Sequence, residues 1–98
     1  MRTEISDKDD LDGFFSWKQL IVEEMKLRGD TWENLVGTTL TTKGMNKKFY
    51  VGHGIEEGEP FTLWTKDRVY FPVCYDGSES VGSVPRNPCD EVTFHIGG

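Results

Sequence analysis

The sequence predicts an α+β domain, with N-terminal helices packed on one face of a small, three- to four-stranded antiparallel meander. Three observations carry that expectation. Apolar residues recur at helical spacing from Trp17 to Met25, between a capping signal and a glycine stop. From Phe61 the period switches to two, with Phe61, Leu63 and Thr65 alternating against Thr62 and Trp64. Asp76-Gly77 then joins two alternating runs, a pair suited to the positive φ angles of a type I′ hairpin turn. At 98 residues the chain has the length of one domain.

Residues 1–12 read as a disordered acidic leader and residues 13–98 as the single α+β domain. Ser16 and Gln19 spell a capping box, in which the serine hydroxyl accepts from the third helical amide and the glutamine reaches back. Phe15 and Leu20 are spaced as a hydrophobic staple. Trp17, Leu20, Ile21 and Met25 form the apolar stripe, and Lys18, Glu23, Glu24 and Lys26 take the wet side. Lys26 and Arg28 suit the negative end of the helix dipole, and Gly29 supplies a left-handed stop.

Asp30 and Glu33 match a second box, opening a short helical turn through Trp32, Leu35 and Val36 that Gly37 closes. Thr38 to Tyr50 supports two readings, extended or helical. A short helix from about Thr42 to Phe49 is favoured, with Met45 and Phe49 at i and i+4, although Gly44 weakens it by roughly 1 kcal/mol. Residues 52–60 form a glycine-rich loop. Strands follow at 61–65, 68–75 and 78–84, and Val92, Phe94 and Ile96 suggest a last short one. Val69, Phe71, Val73 and Tyr75 share one face of the second of these strands. Pro72 has no N–H to give, so that side of its strand must meet an edge or a bulge.

The net charge of −6 is not spread evenly: residues 1–12 carry half of it, and Glu56, Glu57 and Glu59 carry the other half. The favoured reading is a solvated leader and a polar loop; the sharper one is an anionic surface offered to a basic partner. Excess acid repels phosphates, which argues against nucleic acid as a partner. The longest apolar run, Leu20-Ile21-Val22, is far too short to cross a bilayer, and the first residues lack the order of a secretory signal. Cys74 and Cys89 then read as thiols in a reducing cytoplasm.

Chemistry-bearing constellations are thin. His53, His95, Cys74, Cys89 and Asp90 are potential ligands, but none falls in the closely spaced pairs that metal sites use. Cys89 and His95 make a nucleophile and base only on paper, without an elbow or a helix start to activate the thiol. No catalytic residue, metal or cofactor is expected, and the chain does not read as an enzyme.

Aromatic residues make up 12% of the chain, and most must be core. The alternation places Trp64, Tyr70 and Pro72 away from the side carrying Phe61, Leu63, Phe71 and Val73. If helices cover only one sheet face, these rings remain on the other as a contact surface; otherwise another element covers them.

The runs Pro60-Phe61-Thr62-Leu63-Trp64-Thr65, Val69-Tyr70-Phe71-Pro72, Tyr75-Asp76-Gly77-Ser78-Glu79 and Ser83-Val84-Pro85-Arg86-Asn87-Pro88 carry a resemblance. So do residues 24–35 and the terminal His95-Ile96-Gly97-Gly98. Together they resemble a group of small uncharacterised proteins encoded by tailed bacteriophages and enterobacterial prophages. The likeness covers residues 20–98 and departs around 43–57, where a more regular acidic helix and a Gly-Gly pair would stand. It implies a setting and no mechanism.

The resulting expectation is a phage or prophage accessory protein in the cytoplasm of the bacterial host. It binds a host or phage protein, without catalysis and without a membrane, and host defence or nucleic-acid machinery is one target class. The expected contact face is Trp64, Tyr70, Tyr75 and Arg68, with Glu56, Glu57 and Glu59 as electrostatic guidance. The alternatives are an acidic mimic of nucleic acid competing for a DNA-binding enzyme, a small hydrolase or metal protein, and a structural subunit that oligomerises.

Overall fold

The computed structural model describes residues 13–52, 57–75 and 77–95. The leader, residues 53–56 (His53 and Glu56 among them), Asp76 and residues 96–98 lie outside the described residues. The element order is β1 (Phe14–Ser16), α1 (Trp17–Arg28), a 3-10 turn (Trp32–Asn34), β2 (Leu35–Thr38), α2 (Thr42–Asn46), β3 (Lys48–Tyr50), β4 (Leu63–Thr65), β5 (Arg68–Tyr75) and β6 (Ser78–Pro85). The fold is α+β, as the change of period predicts. An antiparallel four-stranded sheet runs β2-β4-β5-β6, and β1 pairs with β3 in a separate ribbon.

α1 forms where its caps dictate. Ser16 Oγ accepts from the Gln19 N–H at 3.2 Å while Gln19 Oε1 accepts from the Ser16 N–H at 2.8 Å, so two otherwise orphaned donors are satisfied. Gly29, at φ +74°, ends the helix with its N–H on the carbonyls of Met25 and Lys26. The buried stripe is Trp17, Ile21 and Met25, which joins Leu40, Met45, Phe49, Phe61, Leu63 and Tyr70 in one core. Trp17 is its hub: Phe49 and Phe61 rings lie 4.9 and 4.8 Å from it, and its indole N–H donates to the Glu59 carbonyl at 2.9 Å.

Four expectations are corrected. Glu24 lies buried against β6 and does not face water. The second capping box does not form, because the Asp30 carboxylate is taken by the sheet; the helical turn stops at Asn34 and Leu35 pairs with Thr65 in β2. α2 is capped by Thr41 and ends at Asn46, since Phe49 reaches the core only after the chain straightens into β3. Residues 91–95 form no strand; Val92 and Phe94 are 72% and 77% exposed, and Ile96 lies outside the described residues.

The β5–β6 hairpin is as expected, in register from Arg68↔Pro85 to Tyr75↔Ser78. Gly77 sits at φ +81° in the connection, while Asp76 lies outside the described residues. Between β4 and β5 the pairs are Leu63↔Tyr70 and Trp64↔Val69. Antiparallel partners share a face, so this register decides which aromatics meet.

Candidate functional site

The inner face of the sheet lies under α1 and is polar as well as apolar. Asp30, just past the helix stop, accepts from Tyr70 OH at 2.8 Å and Thr65 Oγ1 at 2.7 Å with one oxygen. With the other it accepts from the Thr31 N–H at 2.8 Å and Asn34 Nδ2 at 2.9 Å. Burial pushes the Asp30 carboxyl up, but these four donors outweigh it and hold the group below its ordinary value. Burial, followed by the Asp30 partner, lifts the Tyr70 hydroxyl well above the usual phenol range.

A second network lies beside it. Ser83 Oγ donates to Glu24 Oε2 at 2.9 Å, and Arg28 Nε donates to the same oxygen at 2.9 Å. Arg68 Nε donates to Ser83 Oγ at 3.0 Å, and its terminal nitrogens grip both oxygens of Glu91 at 3.0 Å. The hydrogen bond from Arg68 lowers the Glu91 carboxyl, and the same bond raises the guanidinium. Glu24, Arg68 and Ser83 are buried and each is paired, with the exposed Arg28 and Glu91 at the rim, so the network ties α1 to β5 and β6.

The outer face has a different chemistry. Register places Gly37, Trp64, Val69, Phe71, Val73, Tyr75, Ser78, Ser80, Gly82 and Val84 on it. None of these is charged, and the rings and valines are half-buried or exposed. The Trp64 ring lies over Gly37, so closely that a Cβ there would come within 2.8 Å of Cζ2. No described element packs over this face; α1 lies on β6 from the opposite side, where Glu24 meets Ser83. An uncovered, uncharged strip with aromatic rings at its centre is suited to gripping another apolar surface.

The expected contact residues divide between the faces. Trp64 and Tyr75 are on the outer one, Tyr75 being 60% exposed. Tyr70, 0% exposed, is core, and Arg68 is buried in the inner network. The expectation that Trp64 and Tyr70 share a face is therefore corrected: Trp64 opposes Val69, and Tyr70 opposes Leu63. The alternation within each strand was legible, but the offset of β4 against β5 was not. Phe71, assigned to the covered side, belongs beside Trp64.

The acidic loop is less free than its composition suggests. Glu57 Oε1 accepts from the Tyr50 N–H at 3.3 Å, and Glu59 lies against Gly44 in the first turn of α2. The buried Glu79 carboxylate receives the N–H groups of Glu57 and Gly58 at 2.8 to 3.1 Å, fastening residues 57–59 over Trp17. Glu57 and Glu59 remain exposed, while Glu56 lies outside the described residues. Among the described residues no three His, Cys, Asp or Glu side chains converge as metal ligands. No described helix is long and apolar enough to cross a membrane.

No protein-family model, no curated protein and no solved structure matches the chain.

Proposed function

We propose that this chain is a non-catalytic binding protein that holds a partner protein against the outer face of its sheet, with Trp64, Phe71 and Tyr75 as anchors. The observation that supports it is the uncharged strip from Gly37 to Val84, which no described element covers. A nucleic-acid partner would need cations among the rings, and that face has none among its described residues. The setting, an accessory protein of a phage or prophage in the host cytoplasm, is supported by the sequence resemblance of residues 20–98.

Affinity capture from bacterial host lysate tests the reading, with the wild-type chain compared against Trp64→Ser, Phe71→Ser. Truncating a central aromatic anchor costs ~2 kcal/mol or more, so the double variant loses its partner while keeping its fold. Equal recovery of the same partner by both chains refutes it. Recovery that vanishes instead with Glu57→Gln, Glu59→Gln and with salt points to the mimic of nucleic acid.

A further inference from the structure

We propose that residues 86–95 are a strap that opens and closes as one piece over the inner polar network, with the Glu91–Arg68 pair as its clasp. The root of the strap is fixed. The Arg86 N–H donates to the Asp67 carbonyl at 2.8 Å, and the Arg86 guanidinium donates to the Thr65 carbonyl at 3.2 Å, which pins the chain where β6 ends. From there on, residues 86–95 are exposed and outside regular structure. Pro85 is paired with Arg68 in the sheet, so the chain turns back between residues 86 and 91 to bring Glu91 onto that same arginine. Among the described residues, the Glu91 carboxylate is the one group of residues 87–95 hydrogen-bonded to the body.

The two halves of the clasp differ. Arg68 is buried and stays in place without Glu91, because Ser83 Oγ at 3.0 Å and the Ser83 carbonyl at 3.3 Å also hold its guanidinium, and Ser83 is tied to Glu24 on α1. Glu91 stands at the surface on irregular chain. A bidentate grip fixes geometry, yet a pair with one partner in water is readily broken and is screened by salt.

On either side of the clasp the strap is poorly packed. Toward the root it arches over a cavity of about 290 Å³ that reaches Arg28 and Asp30. Past Glu91 a second cavity, of about 110 Å³, is lined by Val92 and Phe94 together with Arg28 and Ser83. Val92 and Phe94 themselves are largely exposed. Few buried apolar contacts and open voids mark a segment that opens locally, well before the body unfolds. Pro88 fixes its own φ and bars helical backbone at Asn87, so the arch is stiff and the segment swings from its root as a unit. Opening frees the two terminal nitrogens of Arg68 and lets water reach Ser83 and Glu24, while α1 stays packed on the sheet.

Backbone 15N relaxation of the full chain tests this. In the wild type at low salt, the amides of residues 89–95 should have order parameters above the value of about 0.6 that separates ordered from flexible backbone. Glu91→Ala, an exposed substitution, should drop all of them below it together, while α1 and β6 keep theirs. Salt at about 1 M, which shortens the screening length to roughly 3 Å, should move the wild type toward the variant. Asp90→Asn removes the neighbouring charge without touching the clasp and should leave the wild-type profile as it is. Order parameters that Glu91→Ala leaves unchanged, or that Asp90→Asn lowers equally, overturn the clasp. A wild type that stays rigid in salt makes the segment static, and loosening that spreads into α1 and β6 makes it part of the packed body; either result overturns the strap.

Discussion

The two faces of the four-stranded sheet are built from adjacent residues of the same strands, yet they have opposite physics. Tyr70 and Phe71 are neighbours in β5. Tyr70 is sealed under α1 with its hydroxyl on Asp30, whereas Phe71 stands on an uncovered strip with Trp64. The inner face holds every buried charge of the sheet that is described, Arg68 and Glu79, each with a partner. The outer face holds none. A domain this small uses one face for stability, which leaves the other face's composition free to serve contact.

Truncations should show that asymmetry first. Leu63→Ala empties the centre of the core and should cost ~2–5 kcal/mol in urea unfolding. Val69→Ala, one position from Tyr70 on the open side, should cost about 1 kcal/mol or less. Equal costs would mean that something covers both faces.

Asp30 gives the next largest effect. Asp30→Ala leaves the Tyr70 and Thr65 hydroxyls buried without their acceptor and should cost ~1–3 kcal/mol, where Thr31→Ala should cost little. The pH dependence follows from its lowered carboxyl. The unfolded chain binds this proton more readily than the folded one. The contribution is therefore complete above the unfolded value of about 4 and drains as pH falls through the folded value. Thermal melts of Asp30→Asn should accordingly lose less between neutral and acid pH than those of the wild type. Parallel losses would remove Asp30 from the account.

These residues also show what was legible in the sequence. The α1 boundaries could be read because capping is local: Ser16, Gln19 and Gly29 act within one turn. The β5–β6 pairing could be read because two residues between alternating runs fix a register. The β4 offset could not, since Lys66-Asp67 carries no comparable turn code, and one residue of slip moved Tyr70 from the expected contact face into the core. Asp30 reads as a helix cap from its neighbours, but its sheet partners Thr65 and Tyr70 lie 35 and 40 positions away, beyond any local signal. Arg68, expected in the contact face, is likewise enclosed by partners beyond local reach, Ser83 and Glu91, at 15 and 23 positions.

The smallest effect should come from Gly37. Its hydrogen is all that fits beneath the Trp64 ring, so Gly37→Ala must lift the indole by a few tenths of an ångström. We expect a cost of ~1 kcal/mol and a red shift of Trp64 emission, since the ring moves toward water. Unchanged emission would place the ring elsewhere.

The central claim is that α1 covers one face of the sheet and that none of the described elements covers the other. Residue-resolved hydroxyl-radical footprinting of the full chain tests it most directly, because β5 carries its own control. Tyr70 and Tyr75 share one intrinsic reactivity and one strand but lie on opposite faces. Many-fold faster labelling of Tyr75 than of Tyr70, with Phe71 labelled faster than the buried Phe61, is the predicted result. Protection of Phe71 and Tyr75 to the level of Tyr70 would contradict it.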